Sequence, residues 1–284
     1  MSSTKQPVNE GECNFSSLKP IEPFKYPSQA SKIISEVNSN NILTSSAEII
    51  DLIKTNKISI NMAIYLISAF SEIREKDINL FSEFYQKISN EFSCVIKPNN
   101  IKLATLLHYK GFNFEKFKPK MTEEAILNLY SKESPLYYIA WDLVDDLKSK
   151  FPNLKINTKV DDEIKPLDCA IKYGSELCFN YMKNLGAKYT KHSEEYAVKG
   201  GNKNIFMQMV EEGESFNKMI NTALGYQHYE IAEYLKSNFG QNPDSIRECM
   251  YFGNFKVISY LLSNGADINK PYYIFFLFIF TIGL

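Results

Sequence analysis

Three histidines, His108, His192 and His228, are the first residues to weigh for acid–base or metal chemistry, because imidazole titrates near neutral pH and ligates transition metals. They lie far apart, and none has a second ligand at metal spacing. Each is therefore read as a free or internally satisfied histidine. Gly200-Gly201 has the composition of a phosphate loop, yet no strand pattern precedes it and no Lys-Ser/Thr follows it. Cys169 and Cys178 lie on neighbouring helices and read as core thiols rather than a redox pair. Paired carboxylates can do acid–base work. Asp142, Asp145 and Asp146, and again Asp161, Asp162 and Glu163, instead read as a solvated helix face and a loop. Glu72, Glu75, Asp77 and Glu83 have no histidine before His108 and no glycine loop to work with. No catalytic residue, cofactor site or metal site is expected. The single tryptophan, Trp141, is assigned to the core in preference to a partner anchor, a role in which tryptophan is enriched.

The elements that hold these residues are helical. Apolar residues make up 44% of the 284, enough for a globular core. The 32 basic and 33 acidic residues balance to a net charge of −1 with no long basic run, which argues against nucleic-acid binding. The residues after Met1 lack the apolar stretch of a signal peptide. Five cysteines without Cys-x-x-Cys spacing suit reduced thiols, so an intracellular, cytoplasmic protein is expected.

Residues 1–29 carry Pro7, Pro20, Pro23 and Pro27 and read as an extended leader. Residues 30–130 read as five or six short helices. Ser45-Ser46-Ala47-Glu48 has the form of a capping box, and apolar residues from Ile58 to Ile73 recur at helical spacing. Asp77, Asn99 or Asn100, and Thr122 stand where further helices would start, and Gly111 where one would stop. No period-2 alternation is sustained.

From about residue 131 to 270 the chain resembles itself. Gly174, Gly201, the Gln227-His228 pair and Gly253 are spaced 26 or 27 residues apart. Seven or eight residues after each an apolar pair begins: Tyr181-Met182, Met209-Val210, Tyr234-Leu235 and Leu261-Leu262. A second glycine then closes each unit, at Gly186, Gly213, Gly240 (one residue late) and Gly265. The physical reading is a helix–turn–helix unit in which each glycine ends a helix in a left-handed conformation. Ala170, Ala197 and Ala223 leave room for close stacking.

These residues resemble the ankyrin repeat. Lys165-Pro166-Leu167-Asp168-Cys169-Ala170, and before it Ser134-Pro135-Leu136, echo the family's Thr-Pro-Leu-His-x-Ala opening, with proline suited to the first helical position. Residues 261–269 match its Leu-Leu-x-x-Gly-Ala-Asp-x-Asn ending. The family period is ~33 residues. The shortening falls between Gly186 and Ser193 and after Gly213, where the family usually builds its β-turn fingers. Residues 106–170 are also similar to a helical domain of unknown function that precedes ankyrin arrays in large protist families.

The expected architecture is all-α: an ankyrin-type helix–turn–helix repeat solenoid preceded by a helical module. The resemblance implies a protein–protein interaction scaffold or adaptor without catalysis. Its partner and oligomeric state are not written in the sequence. Residues 271–284 form an uncharged tail that reads as a truncated array. The alternative is a peripheral membrane protein using that tail, although it is too short to span a bilayer, which takes ~20 apolar residues. The last repeat, with no polar unit beyond it, is expected to fray locally, whereas damage at Leu167 should spread.

Overall fold

The spaced glycines take the backbone conformation that their spacing implies. In the computed structural model, which describes residues 14–161 and 163–266, Gly174, Gly201 and Gly253 have φ of 64°, 69° and 69°. Gly186, Gly213, Gly240 and Gly265 likewise have positive φ. Asp142 (φ 57°) and Gln227 (φ 63°) occupy the same left-handed turn without being glycine. Cys13, Asp162, residues 267–269 of the repeat match and the 272–284 tail lie outside the described residues.

The turns divide the C-terminal half into five helix pairs. They are α7 (Pro135–Ala140) with α8 (Val144–Lys150), α9 (Pro166–Tyr173) with α10 (Glu176–Asn184), and α11 (Ser193–Gly200) with α12 (Lys203–Glu211). Two more follow: α13 (Ile220–Gly225) with α14 (Tyr229–Phe239), and α15 (Arg247–Tyr251) with α16 (Phe255–Ser263). First helices stack on first helices along the whole series, and second helices stack from α8 to α14. The longer α14 explains the late Gly240. Leu136, Leu167, Ala170, Ala197 and Ala223 are buried between units. Gly200 shows how close the stacking is: a Cβ there would lie 2.6 Å from the Ile171 carbonyl oxygen. This accounts for Gly200-Gly201 structurally, one glycine for the approach and the next for the turn.

A ladder of side chains ties the pairs together. The residue after each left-handed turn reaches back to a carbonyl at the end of the preceding unit's first helix. Ser175 Oγ donates to Ala140 O at 3.1 Å, Asn202 Nδ2 to Gly174 O at 3.1 Å, and Asn254 Nδ2 to Leu224 O at 2.6 Å. His228 Nε2 lies 3.0 Å from Lys199 O, which requires the tautomer with its proton on Nε2. Carbonyls in the last turn of a helix lack the usual partner four residues on, and each joint gives one a donor, although Leu224 O also accepts from Gln227 N at 3.2 Å. Among the described residues one isolated bridge, Val160 to Ile164, lies in the longer connection between α8 and α9.

The preceding module contains α1 (Lys25–Ser35), α2 (Ile42–Lys54), α3 (Ile60–Ile73), α4 (Ile78–Glu91), α5 (Ile101–Tyr109) and α6 (Glu123–Leu127). Residues 62–71 of α3 are all buried, as expected for a helix that is covered all round. Ser59, Asn100 and Thr122 cap α3, α5 and α6 through their side chains, and Gly111 has φ 96°. Among the described residues the chain is all-helical, with no strand beyond the single bridge.

Three local expectations are corrected. The Ser45-Ser46-Ala47-Glu48 box does not start a helix: α2 begins at Ile42, after a turn in which Asn38 N donates to Asn41 Oδ1, and Ser45 and Ser46 are buried inside it. Asp77 precedes α4 without capping it, because its carboxylate is taken by Arg74 at 2.6 Å. The described part of the leader is docked. Residues 15–17 and 22–24 form 3-10 turns, Phe15 is fully buried with an edge-to-face contact on Tyr260, and Phe24 packs on Phe255. Ile21 N donates to Ser259 Oγ at 3.1 Å, and α1 rests on α16. The last helix pair is therefore covered by the start of the chain, and the local fraying expected of it has no structural basis.

Candidate functional site

The module and the repeats meet at residues 72–76, where the end of α3 faces the C-terminal ends of the first helices. Tyr65 Oη donates to Tyr251 O at 2.6 Å, and Tyr251 Oη donates to Glu72 Oε2 at 2.9 Å, so α3 holds the fifth pair. Three residues later Glu75 pairs with Lys172 at 3.0 Å and with Lys102 at 2.7 Å, linking α9 to α5. Lys76 Nζ donates to Tyr173 O at 3.2 Å. The second and fifth pairs thus reach the same short segment.

Between them lies a cleft of about 780 Å³, within the usual range for ligand sites and at the kind of junction that favours them. Five cationic side chains line it: Arg74, Lys76, Lys102, Lys172 and Lys199. Three acids do: Glu72, Glu75 and Asp77. Arg74 is paired with Asp77, and Lys199 with Glu195. Lys102 and Lys172 share one carboxylate. Burial works to raise the Glu75 carboxyl, but Lys172 and Lys102 override it and hold it below the ordinary value. Burial raises Glu72, opposed by the Tyr251 hydrogen bond. Burial lowers Lys76, which has no carboxylate within ion-pair reach among the described residues and lies over the Trp141 and Tyr173 rings. Tyr196 and Tyr226 also line the cleft.

Of the other weighed residues, His228 and Gly200 also line the cleft, and the rest of those described do not. His228 is a ladder residue, and burial lowers its pKa, so the neutral ring holds the joint. His108 packs near Tyr109 and Phe117, and His192 is exposed beside Tyr196. The Cys169 thiol is pushed up to about 12 by burial, and Cys178 is raised in the same way, which suppresses both thiolates. Trp141 is half-buried, with Nε1 donating to Asn128 O at 3.1 Å, and sits at the junction rather than in the core. Asp145 and Asp146 are exposed in the first turn of α8, and Glu163 and Glu83 are exposed.

Asp142 departs from the expected solvated face. Its carboxylate accepts from Cys178 N at 2.8 Å and Leu177 N at 3.1 Å, capping α10 from the neighbouring unit. Asp161 accepts from Ser134 Oγ at 3.1 Å. Sequence reasoning missed Asp168 as a joint residue. It is buried and accepts from Thr190 Oγ1 at 2.8 Å and from Ser193 Oγ, tying α9 to the start of α11. The available signal was an acid beside Pro166-Leu167 at the start of a helix.

No group of His, Cys, Asp and Glu among the described residues is placed to hold a metal ion. No helix among them is long and apolar enough to cross a membrane. Comparisons with protein-family models, curated proteins and solved structures find no match.

Proposed function

We propose that this chain is an intracellular, cytoplasmic, non-catalytic scaffold for protein–protein interaction, built on shortened ankyrin-type repeats. The observation that carries this reading is the ladder. Four successive joints repeat one device, a polar side chain after a left-handed turn bonded to the preceding unit's carbonyl. Such stacking produces an extended surface suited to binding rather than turnover. His228 is occupied in a joint, Asp142 in a cap, and Glu75 and Asp77 in ion pairs, in keeping with a binding role.

Affinity capture from the native cell with the whole chain should recover one discrete protein at physiological salt. The bait should lose it when the Asn202→Ala and Asn254→Ala changes loosen two joints. Recovery of no protein, or of the same proteins by a heat-unfolded bait, would count against the reading. The uncharged stretch 272–284 favours a second reading, a peripheral membrane protein. Flotation with anionic vesicles, comparing the full chain with one ending at Lys270, tests it. Equal failure to float would end it.

A further inference from the structure

The cleft at residues 72–76 carries more positive charge than its own carboxylates neutralise. Lys102 and Lys172 approach one carboxylate, Glu75, from two elements. Lys76 meets a carbonyl and two ring faces, and the Asp142 and Asp77 carboxylates act on it only from beyond ion-pair distance. Lys172 and Lys199 sit in the last turns of α9 and α11, where a cation complements the helix dipole. That accounts for those two. It does not account for Lys102, which sits in the first turn of α5, where a cation opposes the dipole. Nor does it account for a cation at Lys76 that burial disfavours. Partly desolvated charge without a partner is costly, and a recess walled by protein focuses its field. Tyr196 and Tyr226 line the same recess, and their hydroxyls, which make no hydrogen bond to any described residue, can donate.

We propose that this cleft is a binding site for a compact polyanion, a small molecule carrying two or more phosphate or carboxylate groups. It would sit between the helical module and the ends of α9, α11 and α13. Lys76 would give the unshared charge, Lys102 and Lys172 their remaining donors, and Tyr196 and Tyr226 neutral hydrogen bonds. Because the site is lined from both sides of the junction, the ligand would fasten the module to the repeats. A folded state that binds a ligand the unfolded chain does not is stabilised by that ligand. This inference does not depend on the scaffold reading, because its test involves no protein partner.

The test is titration calorimetry and thermal unfolding of the full chain with tripolyphosphate, and separately with citrate, at constant ionic strength. The expected result is saturable one-to-one binding of at least one of them, with a rise in Tm. Tighter tripolyphosphate assigns the site to phosphate esters and tighter citrate to polycarboxylates. Lys76→Met keeps the hydrocarbon stem over the rings and breaks no ion pair, so it should fold and bind about 10-fold more weakly. Tyr196→Phe, which removes only a hydroxyl, should weaken binding about 3-fold. Lys118→Met, at an exposed position away from the cleft, should change nothing. No saturable binding of either anion, or unchanged affinity in a folded Lys76→Met protein, would overturn the proposal.

Discussion

Replacing Phe15 with alanine should undo the closure between the two ends of the described chain. Phe15 is fully buried, meets Tyr260 edge-to-face at 6.2 Å, and lies under Lys236 at 5.5 Å. Deleting a phenylalanine from a packed core costs about 3–5 kcal/mol. The loss has a ceiling here, because the leader can detach once its anchor is gone. Freed backbone recovers about 1–2 kcal/mol of conformational entropy per residue, so the loss should stop near about 3 kcal/mol, where detachment becomes cheaper than a docked cavity. For a chain of this size that corresponds to a Tm lower by about 5 °C. Calorimetry would read the shift, and hydrogen exchange would report the Ile21 amide, which is bonded to Ser259 in the native protein. The variant should lose protection at Ile21 and over α16 together. A loss under about 1 kcal/mol with Ile21 still protected would refute the anchoring role and restore an array with a free end.

Three further outcomes follow from the same contacts. Leu261→Ala should cost about 2–4 kcal/mol and loosen α1 and α16 together, seen as matching exchange rates in both; early cleavage confined to α16 would contradict this. Gly200→Ala removes a helical glycine, which in open space would add about 1 kcal/mol of stability. Here the 2.6 Å approach to Ile171 O should reverse the sign to a loss of about 2 kcal/mol by urea unfolding, and a gain would mean the units stack more loosely than described. Glu75, held low by its two lysines, contributes stability that is present above the ordinary carboxylate pKa and is lost as pH falls through the lowered one. Glu75→Gln should therefore cost about 2 kcal/mol at pH 7, with the cost shrinking as pH falls through the lowered pKa, and a difference that stays constant with pH would rule out the ion pair as its source.

How much of this was legible depended on how local each cause is. Gly174, Gly201 and Gly253 declared their turns because few other residues take positive φ cheaply. Asp142 did not, since nothing in its neighbourhood says that it caps a helix beginning more than thirty residues later. Helices α3, α5 and α6 were visible through period and capping residues. Helix α2 was misplaced because a strong local signal at Ser45 competed with an earlier turn at Asn38. The docking of Phe15 and Phe24 could not be read, as their partners lie more than two hundred residues away. The cleft was hidden for the same reason. Its acids lie in one half of the sequence, while Lys172, Lys199 and both tyrosines lie in the other, and only the closure brings them to face one another.

Stacked units of like form usually tolerate insertion or loss of a unit, since every joint resembles the next. Residues 72–76 remove that freedom. Glu72 reaches Tyr251 while Glu75, three residues on and past the end of α3, reaches Lys172, so the module acts as a gauge set to the span from the second pair to the fifth. Deleting residues 201–226 as one repeat would leave every ladder bond replaceable, with His228 taking over the reach of Asn202. It would still break the grip at one end of the gauge. The number of units between the second pair and the fifth is thus fixed by a segment that belongs to neither.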